Sequence, residues 1–217
     1  MRILEPSLEI MNLDRDLARA AMVHLERCGR VCYQSEDFMK DHSYEKFLRM
    51  LIEKGHESVL EHVCVSARVI CSRGASHQIV RHRIAAYSQE SMRFVNYSNP
   101  RHGGSISVIK PVHMNTSPRG DLRPYYKWLG AMEEAESRYL ELIKMGCKPE
   151  EARGVLPQDT KTEIIVTMNL RMWRHVLKTR MSPAAQDEIR TLAEMARCQL
   201  MELFPPIFSD IEPLTEE

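Results

Sequence analysis

The sequence carries no excess of charge, because its 30 lysine and arginine residues are matched by 30 aspartate and glutamate residues. A general nucleic-acid-binding domain normally has a basic excess, so this balance argues against that class and leaves room only for a local basic pocket. Long apolar runs are also missing. No segment approaches the roughly 20 apolar residues of a membrane-spanning helix. The N-terminal residues also lack the basic start and following apolar run that are typical of a signal peptide. We therefore expect a cytoplasmic protein that binds neither membranes nor nucleic acids.

Several ligand-binding motifs are missing as well. The six cysteines include no C-x-x-C pair, which favours reduced, buried thiols in a cytosolic protein. No G-x-G-x-x-G fingerprint follows a strand, so a dinucleotide would have to bind without a Rossmann fold. His56 and His62 are six residues apart and form no H-E-x-x-H motif. We therefore expect no metal site.

The length and hydrophobic periodicity indicate one domain spanning residues 1–217, with helix outweighing strand. The simplest architecture is α+β, with a mixed, mainly antiparallel sheet packed with helices. The predicted helices are residues 16–27, 43–54, 72–83, 129–145, 150–155, 170–179 and 184–204, and the predicted strands are residues 63–71, 93–97, 105–109 and 162–169. We expect a loop at residues 87–91, a surface excursion between Pro100 and Pro124, and a frayed tail after Pro205.

Positive charge is concentrated in one stretch, residues 66–93, which contains five arginines and a single acid, Glu90, for a local formal charge of +4. Arg81 and Arg83 flank His82, and a polar loop with hydroxyl side chains follows. Guanidinium groups bind phosphate oxygens two at a time, and hydroxyls and loop amides add further donors. The composition therefore fits a pocket for a phosphate monoester, although a solvated basic face would have the same composition.

The order of these residues resembles a known family. Arg81-His82-Arg83, followed after seven residues by Ser91, resembles the signature of flavin-dependent thymidylate synthases. Three more blocks resemble that family's motifs in the same order. They are Gly55-His56-Glu57-Ser58 with Glu61-His62, then Ala152-Arg153-Gly154-Val155-Leu156-Pro157, and then Asn169-Leu170-Arg171 with His175, Leu177 and Arg180. The resemblance implies that family's non-Rossmann α+β fold and a homotetramer whose active sites are shared between subunits.

The resemblance also implies a set of residues for dUMP. Matched by motif, they are Gln78, Ile79, Val80, Arg81, Gln89, Glu90, Ser91, Met92, Arg93, Arg153 and Arg180. Arg93 and Arg153 are the phosphate candidates. Arg180 would lie along the carbonyl edge of uracil, where a fixed cation stabilises the ionised ring. Without the resemblance, Arg180 would be interpreted as a helix-end arginine that complements the helix dipole.

A second matched set is implied for FAD. Its residues are Ser58, Glu61, Arg81, His82, Arg83, Gln89, Asn169, Leu170, Arg171 and His175. His56 matches a histidine near the flavin ring and folate, which makes it a catalytic candidate together with Arg180. A histidine at this place is more often a structural hydrogen-bonding residue, and that alternative stays open.

The implied reaction is the reductive methylation of dUMP to dTMP, with NADPH and 5,10-methylenetetrahydrofolate as co-substrates. The hard chemistry is then carried by the cofactors, while the protein positions them. No cysteine adjoins the arginine-rich stretch in a way that suggests a thiolate nucleophile, and Ser91 has no evident base. Two alternatives are a same-fold enzyme that makes hydroxymethyl-dUMP and a nucleic-acid-binding protein that uses the patch from Arg81 to Arg93.

The chain departs from the family pattern in the loop that carries Ala86, Ser88 and Gln89, where many members have serine, asparagine and glutamate. An acid follows at Glu90 instead. We expect the loop contacts to nucleotide or flavin to differ in detail because of this change.

Overall fold

A computed structural model describes residues 1–115 and 121–214, without the side chains of His113 and Asn115. The chain forms two compact units, each built from separate stretches of sequence. Unit 1 comprises Met1–Ser7, Val69–Arg81 and Ser88–Ile164, and unit 2 comprises Leu8–Arg68, His82–Tyr87 and Ile165–Glu217. The expectation of one domain stays a prediction. Residues 116–120 of the predicted surface excursion and residues 215–217 of the tail lie outside the described residues.

The elements confirm an α+β architecture with an antiparallel sheet and many helices. The strands are β1 (Arg2–Leu4), β2 (Ser7–Ile10), β3 (Cys64–Ser72), β4 (Ala85–Gln89), β5 (Ser107–Ile109) and β6 (Lys161–Asn169). The α-helices are α1 (Arg15–Val31), α2 (Ser43–Glu53), α3 (Arg73–Ile79), α4 (Arg123–Lys144), α5 (Pro149–Ala152), α6 (Leu170–Arg180), α7 (Asp187–Leu203) and α8 (Pro205–Phe208). Short 3₁₀ helices occupy Glu36–Phe38, Glu57–His62, Pro100–His102, Val112–Asn115 and Arg153–Val155.

The strands of the main sheet lie in the order β2-β3-β6-β4. In its two long strands, β3 and β6, buried side chains alternate with more exposed ones. In β3 the side chains of Val65, Ala67 and Val69 are buried while their neighbours are more exposed, as the period-two pattern predicts. Strand β6 alternates in the same way along its whole length. A second, two-stranded sheet pairs β1 with β5 in parallel. The sequence prediction of these two long strands is confirmed.

Each unit has its own apolar packing. In unit 2, Asp14 caps α1 by accepting a 2.8 Å hydrogen bond from the Leu17 amide, and α1 packs against α2. In unit 1, α4 buries Trp128 and Tyr139, and the Trp128 indole donates to the Asp159 carboxylate over 2.7 Å. Satisfying that indole N–H lets a large aromatic side chain remain in the core.

Three predictions around the arginine-rich stretch are wrong. Helix α3 ends at Ile79 instead of residue 83, so the Arg-His-Arg triplet follows the helix. Residues 87–91, predicted as a loop, belong largely to strand β4, whose small and polar side chains hid its period. Residues 93–97 are not a strand, because the amides of Phe94 and Val95 both donate to the Ser91 carbonyl and close a turn.

Other boundaries also differ. Helix α4 begins at Arg123, six positions before the predicted residue 129. The residue preceding α2 is His42, with φ +59°, whereas the predicted cap Ser43 lies inside the helix. The hydroxyl of Ser43 instead donates to the buried carboxylate of Glu26 over 2.8 Å. That buried acceptor explains why Ser43 does not cap the helix.

The predicted fraying after Pro205 is also wrong for the described part of the tail. Pro206, Ile207 and Phe208 are buried, and Asp210 forms a two-bond ion pair with Arg174 at 2.6 and 2.7 Å. Arg174 is only 1% exposed and also contacts Glu57 over 3.0 Å. Burying a guanidinium is costly unless its donors are all satisfied, and these carboxylates satisfy it. This network holds the segment that follows α8 against α6.

We predict that Asp210→Ala lowers the free energy of unfolding by about 1–3 kcal/mol, because it leaves a buried guanidinium with fewer acceptors. Burial raises the pKa of the Asp210 carboxyl, but the Arg174 hydrogen bonds and charge outweigh burial and hold that pKa below its usual value. The stabilisation is therefore complete above about pH 4 and is lost as the pH falls below it. Denaturant titration at several pH values measures both effects. The exposed Asp41→Ala should change stability by less than about 0.5 kcal/mol, and an Asp210→Ala loss no larger than this control would contradict the assignment.

Candidate functional site

The loop after β4 in unit 1 is held from inside the protein. The Gln89 amide donates to Ser76 Oγ over 2.9 Å and to Thr162 Oγ1 over 3.2 Å. Arg73 Nη1 donates to the Glu90 carbonyl and to the same threonine hydroxyl, each over 3.3 Å. The Gln89 side chain, which the resemblance assigned to dUMP and FAD, and the guanidinium of Arg73, one of the five arginines of the basic stretch, are thus used to position the loop.

The displaced acid, Glu90, has a structural environment. Its carboxylate accepts hydrogen bonds from the Tyr97 hydroxyl over 2.7 Å and from Lys161 Nζ over 2.6 Å. Burial, followed by the bond to Glu90, raises the pKa of Tyr97 well above its usual value, so this hydroxyl remains a donor. Sequence reasoning missed Lys161, because its partner lies 71 positions away along the chain. Glu90, where the chain departs from the family pattern, therefore stabilises the loop through its hydrogen bonds with Tyr97 and Lys161.

Arg93 and Arg153, the two phosphate candidates of unit 1, both donate a hydrogen bond to Glu150. Arg93 Nε donates to the Glu150 carboxylate over 2.8 Å, and Arg153 Nε donates to the Glu150 carbonyl over 3.3 Å. The Arg93 and Glu150 side chains are 60% and 37% exposed, so solvent reaches the pair. Surface pairs of this kind are weak, typically below about 1 kcal/mol. Another anion can therefore replace the carboxylate at little cost.

The other predicted dUMP residues of unit 1 surround this loop and the end of α3. Ser91 Oγ accepts from the Arg93 amide over 3.3 Å, which fits a hydrogen-bonding hydroxyl. Ile79 is buried in the core, whereas Val80 and Arg81 are exposed and Gln78 and Met92 are partly buried. Ile79 can therefore offer a ligand only its backbone.

Unit 2 contains a cavity of about 440 Å³ that brings together four of the predicted FAD residues. Glu61, Asn169, Arg171 and His175 all line it. Arg171 pairs with Glu61 over 2.5 Å, and both side chains are about half exposed. Asn169 caps α6 by accepting from the Met172 amide over 2.8 Å. Two segments about 110 residues apart in the chain thus form one cavity, which we call the α6 cavity.

The wall of the α6 cavity includes Ile84, which follows the Arg-His-Arg triplet. Its backbone has φ +68° and its side chain is 76% exposed. A β-branched residue rarely adopts this left-handed conformation, and such strain is concentrated at functional sites. Ile84 thus lines the α6 cavity in an unusual and exposed conformation, and sequence reasoning did not single it out.

His82 and Arg180 form a direct hydrogen bond within unit 2. Arg180 Nε donates to His82 Nε2 over 2.8 Å, and the His82 side chain is 7% exposed. Burial, then the positive charge of Arg180, then His175 lower the pKa of His82 to about 4. The imidazole is therefore neutral at pH 7 and accepts from the guanidinium. Because His82 fixes one edge of Arg180, this histidine orients the arginine assigned to uracil.

The remaining predicted residues of unit 2 have different environments. Ser58 and Arg83 are exposed, and Arg83 makes no side-chain hydrogen bond or ion pair with any described residue. Leu170 is fully buried and its amide donates to the Val63 carbonyl, so it supports the fold. His56 lines a different cavity of unit 2, between α1 and α2.

The two predicted binding sets divide between the units. Every dUMP residue belongs to unit 1 except Arg180, and every FAD residue belongs to unit 2 except Arg81 and Gln89. No three histidine, cysteine, aspartate or glutamate side chains of residues 1–115 and 121–214 are grouped as a metal site would need. Within the same residues, no helix has the length and apolar character needed to cross a membrane.

Comparison with known proteins assigns the family. A family model described as thymidylate synthase complementing protein matches residues 18–206. The chain belongs to this family. The match includes all the motif blocks and all the candidate site residues named above.

Curated relatives in this family are named flavin-dependent thymidylate synthase. The protein of Thermococcus onnurineus is 43% identical, with an alignment covering 69% of this chain and 59% of the relative. That of Pyrococcus furiosus is 39% identical over 76% of this chain and 66% of the relative. A Mycobacterium relative is 35% identical over 89% and 80%. The chain thus spans less than two thirds of the length of the archaeal relatives.

One solved structure supports the fold assignment. The UMP/dUMP methylase PolB of Streptomyces cacaoi, bound with 5-Br dUMP, superposes with a TM-score of 0.77 over 96% of both chains. Its sequence identity is 21%, so the similarity is informative for the fold alone. It confirms the predicted non-Rossmann α+β fold of this family.

We predict that His82→Gln reduces the pH dependence of folding stability between pH 6.5 and 4. In the wild type, the unfolded imidazole binds a proton below about pH 6.5 while the folded one does so only near pH 4, so stability falls across this window. Glutamine can still accept from Arg180 but does not titrate. We expect the acid-induced loss to shrink by about 2 kcal/mol, allowing for partial relaxation, as measured by denaturant titration. The exposed His102→Gln should behave like the wild type, and superimposable curves for all three proteins would refute the buried neutral imidazole.

Proposed function

We propose that the chain catalyses the reductive methylation of dUMP to dTMP, with FAD as cofactor and 5,10-methylenetetrahydrofolate and NADPH as co-substrates. Membership of the family and the names of the curated relatives support the activity and the flavin. The observation that carries the proposal is the meeting of Arg93 and Arg153 at Glu150. These arginines come from different motif blocks, and a bound phosphate would replace the Glu150 carboxylate at Arg93 and the Glu150 backbone carbonyl at Arg153.

The uracil ring is assigned to Arg180. One edge of its guanidinium is hydrogen-bonded to neutral His82, which helps to hold the planar, forked group in a fixed orientation. Such a fork can donate to a carbonyl oxygen and stabilise negative charge on the adjoining ring nitrogen. We infer that Arg180 activates dUMP electrostatically, and His82 positions it.

The α6 cavity fits part of a flavin nucleotide. Arg171, Lys178 and His175 supply donors for anionic oxygens, and Asn169 supplies a polar edge. The exposed pair of Arg171 with Glu61 can open to admit a phosphate. When bound, the flavin supplies the hydride that completes the methyl group. The protein's part is to bind, orient and exclude water from the reacting rings.

The homotetramer with shared active sites belongs to the same proposal. Sedimentation equilibrium of the purified chain tests it. The cytoplasmic location and the preference for NADPH over NADH stay predictions.

We predict that the purified protein is yellow with FAD and converts dUMP to dTMP when given NADPH and 5,10-methylenetetrahydrofolate. Mass spectrometry of the product decides between the proposed activity and its same-fold alternative, because 5-hydroxymethyl-dUMP is heavier than dTMP by one oxygen atom. A parallel reaction with UMP tests selectivity for the deoxyribose. A colourless protein that turned over no nucleotide, and instead bound DNA or RNA with steep salt dependence, would support the nucleic-acid-binding alternative.

We predict opposite effects on dUMP affinity for two substitutions at the phosphate site. Arg93→Ala should raise the dissociation constant about 10- to 100-fold, because it removes a charge-assisted hydrogen bond. Glu150→Gln should lower it about two- to fivefold, because the competing carboxylate is gone. Isothermal titration calorimetry measures both. Arg101→Ala, an exposed arginine of the same unit, serves as the control. Equal affinity in Arg93→Ala and this control would place the phosphate elsewhere.

A further inference from the structure

We propose that Lys161 is a positioning residue, which neutralises Glu90 and thereby holds the loop after β4 in the conformation that binds dUMP. This loop comprises residues 90–97 of unit 1 and carries residues assigned to the nucleotide, namely Ser91, Met92 and Arg93. Lys161 belongs to none of the motif blocks and to neither of the ligand sets. The proposal rests on the proposed function, because it gives Lys161 a part in binding the same substrate.

The two ends of the loop are joined through the Glu90 side chain. Its carboxylate accepts a hydrogen bond over 2.7 Å from the hydroxyl of Tyr97, seven positions further along the chain. The Tyr97 amide in turn donates over 3.2 Å to the hydroxyl of Tyr139, a fully buried residue of α4. The turn that carries Ser91 and Arg93 is therefore closed at its base and attached to the core.

The backbone of Glu90 is also bonded within the protein. Its amide donates to the Glu163 carbonyl of β6 over 2.8 Å, and its carbonyl accepts from Arg73 over 3.3 Å. With the two bonds to the carboxylate, each of the four polar atoms of Glu90 has a partner inside unit 1. We therefore assign Glu90 an indirect effect on dUMP, which it exerts through the conformation of the loop.

Lys161 supplies the positive charge that keeps the Glu90 carboxylate inside the protein. Its Nζ atom lies 2.6 Å from the Glu90 carboxylate and 3.5 Å from that of Glu163. The side chains of Lys161, Glu90 and Glu163 are 19%, 16% and 32% exposed. Without the lysine, two poorly solvated carboxylates would lie close together without compensation, and a buried charge that loses its partner is strongly destabilised. We expect Glu90 then to turn towards solvent, which breaks its bond to Tyr97 and releases the loop.

An ordered loop favours nucleotide binding in two ways. Because its backbone is already fixed, the ligand does not have to order it, which lowers the entropic cost of binding. The inward position of Glu90 also keeps a negative charge away from Arg93, which follows it by three positions and already has a carboxylate partner in Glu150. Lys161 thus acts on dUMP binding through Glu90.

The test compares the binding of dUMP to the full-length wild type and to variants by isothermal titration calorimetry. Lys161→Met keeps the length of the side chain but removes its charge, and it should raise the dissociation constant about tenfold or more. Lys161→Arg keeps the charge and should stay within about threefold of the wild type. The double variant Glu90→Gln/Lys161→Met should recover most of the affinity, because glutamine can accept from Tyr97 and needs no counter-charge. In turnover, Lys161→Met should raise KM for dUMP and leave kcat within about twofold.

A lysine of the same unit with similar burial provides the matched control. Lys110 pairs with Glu5 over 3.2 Å and is 24% exposed, so Lys110→Met also breaks an ion pair but lies outside the loop. It should bind dUMP like the wild type. Equal affinity of Lys161→Met and this control would overturn the proposal, and so would a loss of affinity that the double variant did not restore.

A second variant keeps the test decisive if Lys161→Met does not fold. Tyr97→Phe removes one hydroxyl from the same loop without changing any charge or the packing of the ring. It should weaken dUMP binding about three- to tenfold, because Glu90 loses a hydrogen bond that closes the loop. Wild-type affinity in a folded Tyr97→Phe variant would overturn the proposal.

Hydrogen exchange of the ligand-free protein, measured by mass spectrometry, separates this inference from the proposed function. In Lys161→Met, the loop amides, including those of Phe94 and Val95, should exchange about tenfold faster, while those of α7 in unit 2 keep their wild-type rates. A chain whose loop loosened in this way but which bound no dUMP would refute the proposed function and leave the ordering role of Lys161 standing. A chain that bound dUMP, with loop exchange and affinity both unchanged in the variant, would do the reverse.

Discussion

A guanidinium group that leaves water needs an acceptor within the protein, and this chain gives a carboxylate even to two partly exposed arginines among its functional candidates. Arg93 is paired with Glu150, and Arg171 with Glu61. These pairs are largely exposed, so each contributes little to stability and can be exchanged. The same need is met in the interior at Arg174, whose buried guanidinium pairs with Glu57 and with Asp210 and so holds the segment after α8. The exposed arginines can therefore exchange a carboxylate for another anion, whereas the buried Arg174 cannot.

Anion binding then becomes an exchange of acceptors. In the proposed site, a phosphate bound by Arg93 and Arg153 would replace the carboxylate that Glu150 supplies to Arg93. The net gain is smaller than for bare arginines, but the guanidinium groups are already oriented, which lowers the entropic cost of binding. Arg180 is oriented differently, by the neutral imidazole of His82, so its positive charge is not reduced by this partner. That difference suits an arginine whose role is to stabilise charge on a ring.

The sequence predicted those parts of the fold whose apolar residues recur regularly. Strands β3 and β6 and helix α2 follow from period-two and helical patterns, because burial of one face dictates both. Strand β4 escaped notice because Ala85–Gln89 has only one large apolar side chain to mark its period. The turn at Ser91 and the left-handed Ile84 depend on backbone geometry, which composition does not encode. Local patterns therefore predict the framework better than they predict the loops that carry the chemistry.

The order of the motifs identified candidate site residues, but it did not predict the residues that they contact. The motifs identified Arg93 and Arg153, yet only the structure brings both to Glu150, an acid that no pattern singled out. Lys161 and Tyr97 were missed for the same reason, since they reach Glu90 from distant positions or across a turn. Glu90, the acid that departs from the family pattern, stabilises the loop through these two hydrogen bonds. Partners far apart in the chain are the part of a site that a single sequence leaves undetermined.

The central claim is that Arg93 and Arg153 together hold the nucleotide phosphate in place of Glu150. A crystal structure of the protein with dUMP bound tests it most directly. We expect phosphate oxygens within about 3 Å of both guanidinium groups, with the Glu150 carboxylate moved away from Arg93. A nucleotide bound elsewhere, with the Arg93–Glu150 pair still intact, would contradict the account.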